Sequence, residues 1–189
     1  MPRAGLSRQI VVEEAARLAD EVGFDRLTLA LLAKRLGVAL PSLYKHIRGI
    51  DALREHLSAL ATTELAQVFS TAAAGRARAD AVRAVADAYR DYARRHPGRY
   101  AATQLAPHPD DADHLAAAAR AVDTIYAVLE GYGLSGDDAL DATRVLRCAL
   151  HGFVLLENGR GFGLPREVDR SFDQLVATLD IAFSHWPSP

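Results

Sequence analysis

The sequence predicts an all-α protein of about nine helices, with a small helix-turn-helix domain at the N-terminus and a larger helical domain after it. Three observations carry this expectation. Apolar residues recur at helical spacing along nearly the whole chain, and β-branched alternating runs are scarce. The periodic stretches are also separated by short connections bearing glycine or proline. Half of the 189 residues are hydrophobic and 24% are charged, which supplies a packed core and argues against disorder.

The first helix is expected over residues 7–22, because Ser7 is a good N-cap and Val11, Ala15, Leu18 and Val22 fall on one face. Gly23 is placed to end it. A short second helix follows Thr28, with Leu29, Leu32, Ala33 and Leu36 inward and Lys34 and Arg35 outward on a solvated face. Gly37 and Val38 make a tight turn into a third helix over residues 40–47, with Pro41 in its first turn, where a missing N–H costs nothing. Longer helices are expected over 50–71, 80–96 (stopped by Pro97 and Gly98), from the end of the 106–111 loop to 132, over 137–157, and over 167–185. A short segment fills the chain to Leu105.

The net charge of −2 argues at first against a nucleic-acid partner, but its distribution points the other way. Residues 1–60, Arg3 among them, carry net +2, and the remainder carries −4. Between Arg26 and Arg54 there are six basic residues and one acid, Asp51. Two short helices joined by a glycine turn within such a segment form a helix-turn-helix. Its second helix needs a packed side, supplied by Leu43 and Ile47, and an outer side that is short, polar and basic. Ser42, Lys45 and His46 face outward, and Ala39 and Pro41 are small enough to let the helix start approach a base-pair floor.

The run Thr28…Ala33…Leu36-Gly37-Val38…Leu43-Tyr44-x-His46-Ile47 resembles the DNA-binding domain of the TetR family over about residues 6–60. The resemblance implies a helix-turn-helix domain over residues 1–50, its motif at 28–47, and a ligand-sensing and dimerisation domain over 51–189. It implies a DNA-binding set of Thr28, Leu40, Pro41, Ser42, Tyr44, Lys45 and His46. Thr28, Tyr44 and His46 would meet phosphate, and Leu40, Pro41 and Ser42 would meet base edges. Lys45 could touch either. Leu40 and Pro41 offer only apolar contact, suited to thymine methyls. Two departures stand out: Ala39 replaces a common Ser or Thr cap, and Ile50 replaces a Lys that often holds phosphate.

Residues 142–179 resemble the C-terminal domain of a TetR subgroup named for a Trp-His-Gly signature, through Leu150-His151-Gly152-Phe153 and Gly161-Phe162-Gly163-Leu164-Pro165, although no tryptophan precedes His151. The resemblance implies a homodimer built on the last two helices, with Leu146, Leu150, Phe153, Phe172, Leu175, Val176 and Leu179 at the interface. The same residues could instead be intramolecular core. A helical glycine costs about 1 kcal/mol against alanine, so Gly152 is expected to admit a close helix. Tyr89, Tyr92, Tyr100, Tyr126 and Phe153 are read as core more than as pocket, His151 as a core histidine, and Cys148 as an inert residue of an apolar helix.

The implied function is a sequence-specific transcription regulator, a repressor released from a palindromic double-stranded operator by a small, apolar effector. The alternative is a helical dimer that binds a ligand or protein and has lost DNA binding, which Ala39 and Ile50 keep open. No phosphate-cradling glycine loop, G-x-S-x-G, H-E-x-x-H or cysteine cluster is found, so no enzyme, cofactor or metal is expected. His108 and His114 with Asp110, Asp111 and Asp113 read as a solvated acidic loop. The absence of a signal-peptide core or of roughly 18–20 consecutive apolar residues, and a single cysteine, lead to an expectation of a cytoplasmic protein without membrane contact.

Overall fold

The computed structural model describes residues 6–187; Arg3 lies outside them. Among the described residues there are nine α-helices and no strand: α1 (Arg8–Val22), α2 (Leu29–Leu36), α3 (Leu40–Leu43), α4 (Ile50–Ala73), α5 (Arg78–Arg95), α6 (Pro97–Ala102), α7 (Ala112–Glu130), α8 (Gly136–Asn158) and α9 (Val168–Ser184), with a single 3-10 turn at Phe24–Arg26. The helices fall into two compact units. The first comprises residues up to Glu64 together with Arg95–Ala117; the second comprises Leu65–Arg94 and the chain from Ala118 onward.

In the first unit the local signals act as the residues dictate. The Ser7 hydroxyl accepts the Ile10 N–H and opens α1, and Gly23, at φ 95°, ends it. The Thr28 hydroxyl accepts the Leu31 N–H at 3.2 Å, and Gly37 closes α2 in the left-handed region at φ 66°. Val11, Ala15 and Leu18 from α1, Leu32 and Ala33 from α2, Leu43 and Ile47, and Leu53, Leu57 and Ala61 from α4 form one buried core. Ala102 of α6 belongs to that core too.

The segment expected as one helix over 40–47 is shorter: α3 ends at Leu43, and residues 44–46 continue as turns. The N–H groups of His46 and Ile47 both donate to the Leu43 carbonyl at 2.9 Å. Ala39 has no side-chain acceptor for the helix start, and the N–H groups of His46 and Ile47 share one carbonyl, so the regular ladder does not extend past Leu43. Burial of Leu43 and Ile47 holds it instead.

Pro97 and Gly98, expected as a stop, end α5 and also open α6. A Cβ on Gly98 would lie 2.1 Å from the Ala19 carbonyl carbon and oxygen, so α6 packs backbone to backbone on α1. The Asp20 carboxylate accepts the Arg99 N–H at 2.9 Å, doing for α6 what its own N-cap residue, His96, does not. The same carboxylate pairs with the Arg99 guanidinium at 3.1 Å and meets His96 Nδ1 at 3.2 Å, and Glu64 pairs with Arg99 at 3.3 Å.

The second unit is built on aromatic packing around one buried cation. Arg90 of α5 lies over the rings of Phe172 (4.6 Å) and Phe153 (5.5 Å), takes Glu157 of α8 bidentately, and reaches Asp169 at 2.6 Å. These carboxylates hold the Arg90 pKa above its already high ordinary value. Phe69 stacks on Tyr89, and Tyr132 donates to Asp180 at 2.6 Å; burial and that carboxylate hold the phenol well above its ordinary pKa.

This unit changes the reading of the last two helices. Leu146, Leu150, Phe153, Phe172, Val176 and Leu179, expected at a dimer interface, are each at most 9% exposed within the single chain and form its own core. Leu175 alone is half-buried. The widest apolar stripe of each helix turns inward, and the outward faces carry Val145, Leu155, Leu156 and Ile181. Gly152 has open space where its Cβ would stand, so no helix of the same chain explains it. Cys148 is exposed, not sunk in an apolar helix. His151 is half-buried, and burial, aided by Arg147, lowers its pKa.

Candidate nucleic-acid interface

The site is a ridge at one end of the first unit, formed by the start of α2, α3 and the turns after it. Leu43 and Ile47 are 0% and 2% exposed and fix the ridge from below. The residues between and before them project outward: Leu40 is 37% exposed and Tyr44 56%, with Pro41 and Lys45 exposed and Ser42 and His46 half-buried. Burial of the Tyr44 ring between helices is therefore excluded. Arg8, in the first turn of α1, donates to the His46 carbonyl at 3.4 Å, at the far end of the ridge.

Thr28 has a specific geometry. Its hydroxyl oxygen accepts the Leu31 N–H, which leaves the hydroxyl proton to donate outward at the positive end of α2. Phosphate is the natural acceptor for that arrangement. The seven residues expected in the interface thus lie on two consecutive elements of one unit, with none of them buried.

The remaining cations sort themselves by their partners. Arg35, read from sequence as a solvated face, pairs with Glu14 at 3.0 Å and Glu21 at 2.6 Å on α1. Those hydrogen bonds raise its pKa and turn the guanidinium toward α1. Arg54 lies over the Phe24 ring at 5.7 Å and donates to the Asp25 carbonyl. Lys45 and Arg48 are exposed on the ridge side of the chain. The acidic loop after α6 also divides: His108 accepts the Asp110 N–H, whereas His114 turns inward and meets Ser58 and Thr62 of α4. Among the described residues no group of three or more His, Cys, Asp or Glu side chains is placed to hold a metal ion. The contacts of His114, and the Asp20 clamp on α6, had no signal in the sequence beyond residue type.

An apolar platform that presents a short basic ridge at the end of a glycine turn is the form of a helix-turn-helix DNA reader. Comparison with known proteins gives the family. Residues 11–57 match the bacterial regulatory proteins of the tetR family, and residues 82–179 match the tetracyclin repressor-like C-terminal domain. The chain is 43% identical over 155 residues to an uncharacterized HTH-type transcriptional regulator of Mycobacterium tuberculosis, covering 82% of this chain and 71% of that one. It is 33% identical to the uncharacterized HTH-type transcriptional regulator YobS of Bacillus subtilis, over 94% of this chain and 93% of that one. A solved structure of TetR-Q116A from Acinetobacter baumannii in complex with minocycline aligns over 98% of this chain and 100% of that one, with a TM-score of 0.68 and 25% identity. The chain belongs to the tetR family: it is a DNA-binding transcriptional regulator and not an enzyme. No helix among the described residues is long and apolar enough to cross a membrane.

Proposed function

We propose that the protein is a cytoplasmic repressor that binds a palindromic operator as a homodimer and is released by a small, apolar effector. The observation that carries the DNA reading is the alternation at the ridge, where Leu43 and Ile47 are buried and Leu40, Tyr44 and Lys45 between and beside them are exposed. A rigid base with an outward row of this kind fixes side chains against a groove without ordering them on binding. In this reading Thr28, Tyr44 and His46 hold phosphate, Leu40, Pro41 and Ser42 meet base edges, and Lys45 serves either. The DNA-reading part takes in residues 1–50, and residues 51–189 sense and dimerise. The start of α4 and the segment Arg95–Ala117, although within 51–189, pack with the reading part and brace it.

A single ridge reads too few base pairs for a specific site, so two copies related by a twofold axis are needed. The outward residues of α8 and α9, namely Val145, Leu155, Leu156 and Ile181, with the half-buried Leu175, supply the apolar face for the second copy. The open space at Gly152 allows close approach there. The Trp-His-Gly subgroup assignment rests on His151-Gly152 within α8. The effector reading is supported by the relative crystallised with minocycline. Selection from a random duplex library tests the whole. Enrichment of a palindrome bound by two copies, lost in Tyr44→Ala while that variant stays folded, is expected; no enriched sequence would overturn it.

A further inference from the structure

Four polar or charged side chains are buried among the described residues: Ser58, Thr62, Arg90 and His114. Three of them meet at one point in the first unit. His114, near the start of α7 and 3% exposed, brings its Nε2 to 3.1 Å from the Thr62 hydroxyl and 3.4 Å from that of Ser58. Ser58 and Thr62 are one turn apart on α4. The Ser58 hydroxyl donates to the Leu105 carbonyl at 3.2 Å, and the backbone N–H of His114 donates to the Asp111 carboxylate at 3.0 Å.

The protons can be counted. The single Ser58 hydroxyl proton is committed to Leu105. If the Thr62 proton goes to Nε2, every hydroxyl proton has an acceptor and the ring proton sits on Nδ1. With the proton on Nε2 instead, the Thr62 hydroxyl proton has no acceptor among these groups. The state that gives both hydroxyl protons an acceptor is therefore neutral histidine accepting at Nε2 from Thr62. A second proton on the ring would place a charge beside two hydroxyls in a dry site and force Thr62 to turn around.

The helix held in this way leads to the recognition ridge. α4 begins at Ile50, three residues after Ile47, and its Leu53 and Leu57 are fully buried in the same core as Leu43. At 1.5 Å per residue Ser58 stands about 12 Å along the helix from that start, so a shift at Ser58 and Thr62 moves the ridge's own support. We propose that His114 is a positioning residue for DNA reading: in its neutral form it fixes α4 through the Thr62 hydroxyl, and protonation at Nε2 reverses that bond and weakens the operator complex. This rests on the DNA-reading function above and adds a proton-dependent control to it.

The groups facing His114 are few. α4 offers the two neutral hydroxyls, and the loop before α7 offers Asp111, which takes the His114 backbone N–H and is the one charged group. Burial lowers the His114 pKa, and Asp111 opposes that only in part. The neutral hold is thus complete above the ordinary histidine pKa of about 6.5 and is lost as the pH falls below it.

The test uses the full chain and the palindromic duplex recovered by selection, with affinity measured from about pH 8 to about pH 5.5. His114→Gln keeps a polar atom near the Nε2 position and cannot titrate in this range. The parent is expected to lose affinity in acid relative to His114→Gln by about fivefold or more, a coupling of ordinary size. That ratio cancels any pH effect common to both proteins, including one at the DNA itself. Ser58→Ala with Thr62→Val, checked for folding by thermal melting, should bind more weakly at pH 8 and lose the acid step. A His114→Gln profile that follows the parent, or a folded double variant with parental affinity at every pH, would overturn the proposal. A DNA-free readout separates the two claims: fluorotyrosine NMR of Tyr44, assigned with Tyr44→Phe, should titrate in the parent and not in His114→Gln. If no duplex is selected yet Tyr44 follows His114, DNA reading fails and the coupling stands. If a duplex is selected and Tyr44 ignores His114, the coupling fails.

Discussion

The two units of the molecule bury polarity in opposite ways. The DNA-reading unit buries neutral groups, Ser58, Thr62 and His114, and leaves its ionic contacts half-buried, as in the Asp20–Arg99–Glu64 chain. The second unit buries a full charge, Arg90, between two phenylalanine rings with two carboxylates to neutralise it. They also differ in where function can sit. On the ridge, structural and exposed positions alternate residue by residue, so Leu43 and Tyr44 can be altered separately. On α8 and α9 the most apolar positions are core, and any surface for a partner must come from the less apolar face. Function added to a short motif is separable from stability; function added to a wide helical face competes with it.

Substitutions should respect this division. The largest loss of stability is expected for Arg90→Ala, which leaves the largely buried Glu157 carboxylate without its partner; about 3 kcal/mol is expected, read as a fall in denaturant midpoint. Operator affinity per folded dimer should change less than about twofold. Gly98→Ala comes next, because the added methyl would overlap the Ala19 backbone. Forcing α6 away from α1 should cost about 1–3 kcal/mol in thermal or denaturant unfolding. Thr28→Ala should cost about 1 kcal/mol through the lost cap, and operator affinity should fall as well. Thr28→Ser should restore both, since serine offers the same acceptor and the same outward proton. Arg35→Ala should have the smallest effect. Its pairs with Glu14 and Glu21 are solvent-screened, so unfolding should be little changed. Its operator affinity and salt slope should match the parent, and a slope shallower by about one unit would instead make Arg35 a phosphate contact.

What the residues alone disclose follows the range of the interactions. The ridge was readable because its signals are local: the Thr28 cap, the glycine turn at Gly37, and the four-residue spacing of Leu43 and Ile47. The end of α3 was misjudged because periodicity continues through Ile47 while the regular helical ladder does not: the N–H groups of His46 and Ile47 converge on the one Leu43 carbonyl. The place of α6 was not readable at all. Gly98 reads as a helix stop, and only the approach of Ala19, far away in sequence, shows why no other residue fits. His114 likewise sat in an acidic loop by composition and turned inward through contacts with α4. For α8 and α9 the apolar stripe was correctly placed on Leu146, Leu150 and Phe153, but periodicity says which face is apolar and not what covers it.

If the exposed ridge reads a specific duplex, its affinity must depend on sequence as well as on salt. Fluorescence anisotropy on the selected palindrome and on a scrambled duplex, across a salt series, tests it most directly with the parent, Leu40→Ala and Lys45→Glu. The parent should prefer the palindrome by about a thousandfold. Lys45→Glu should weaken both duplexes and flatten the salt slope by about one unit, and Leu40→Ala should weaken the palindrome more than the scrambled duplex. Equal affinity of the parent for both duplexes, unchanged in both folded variants, would contradict the claim.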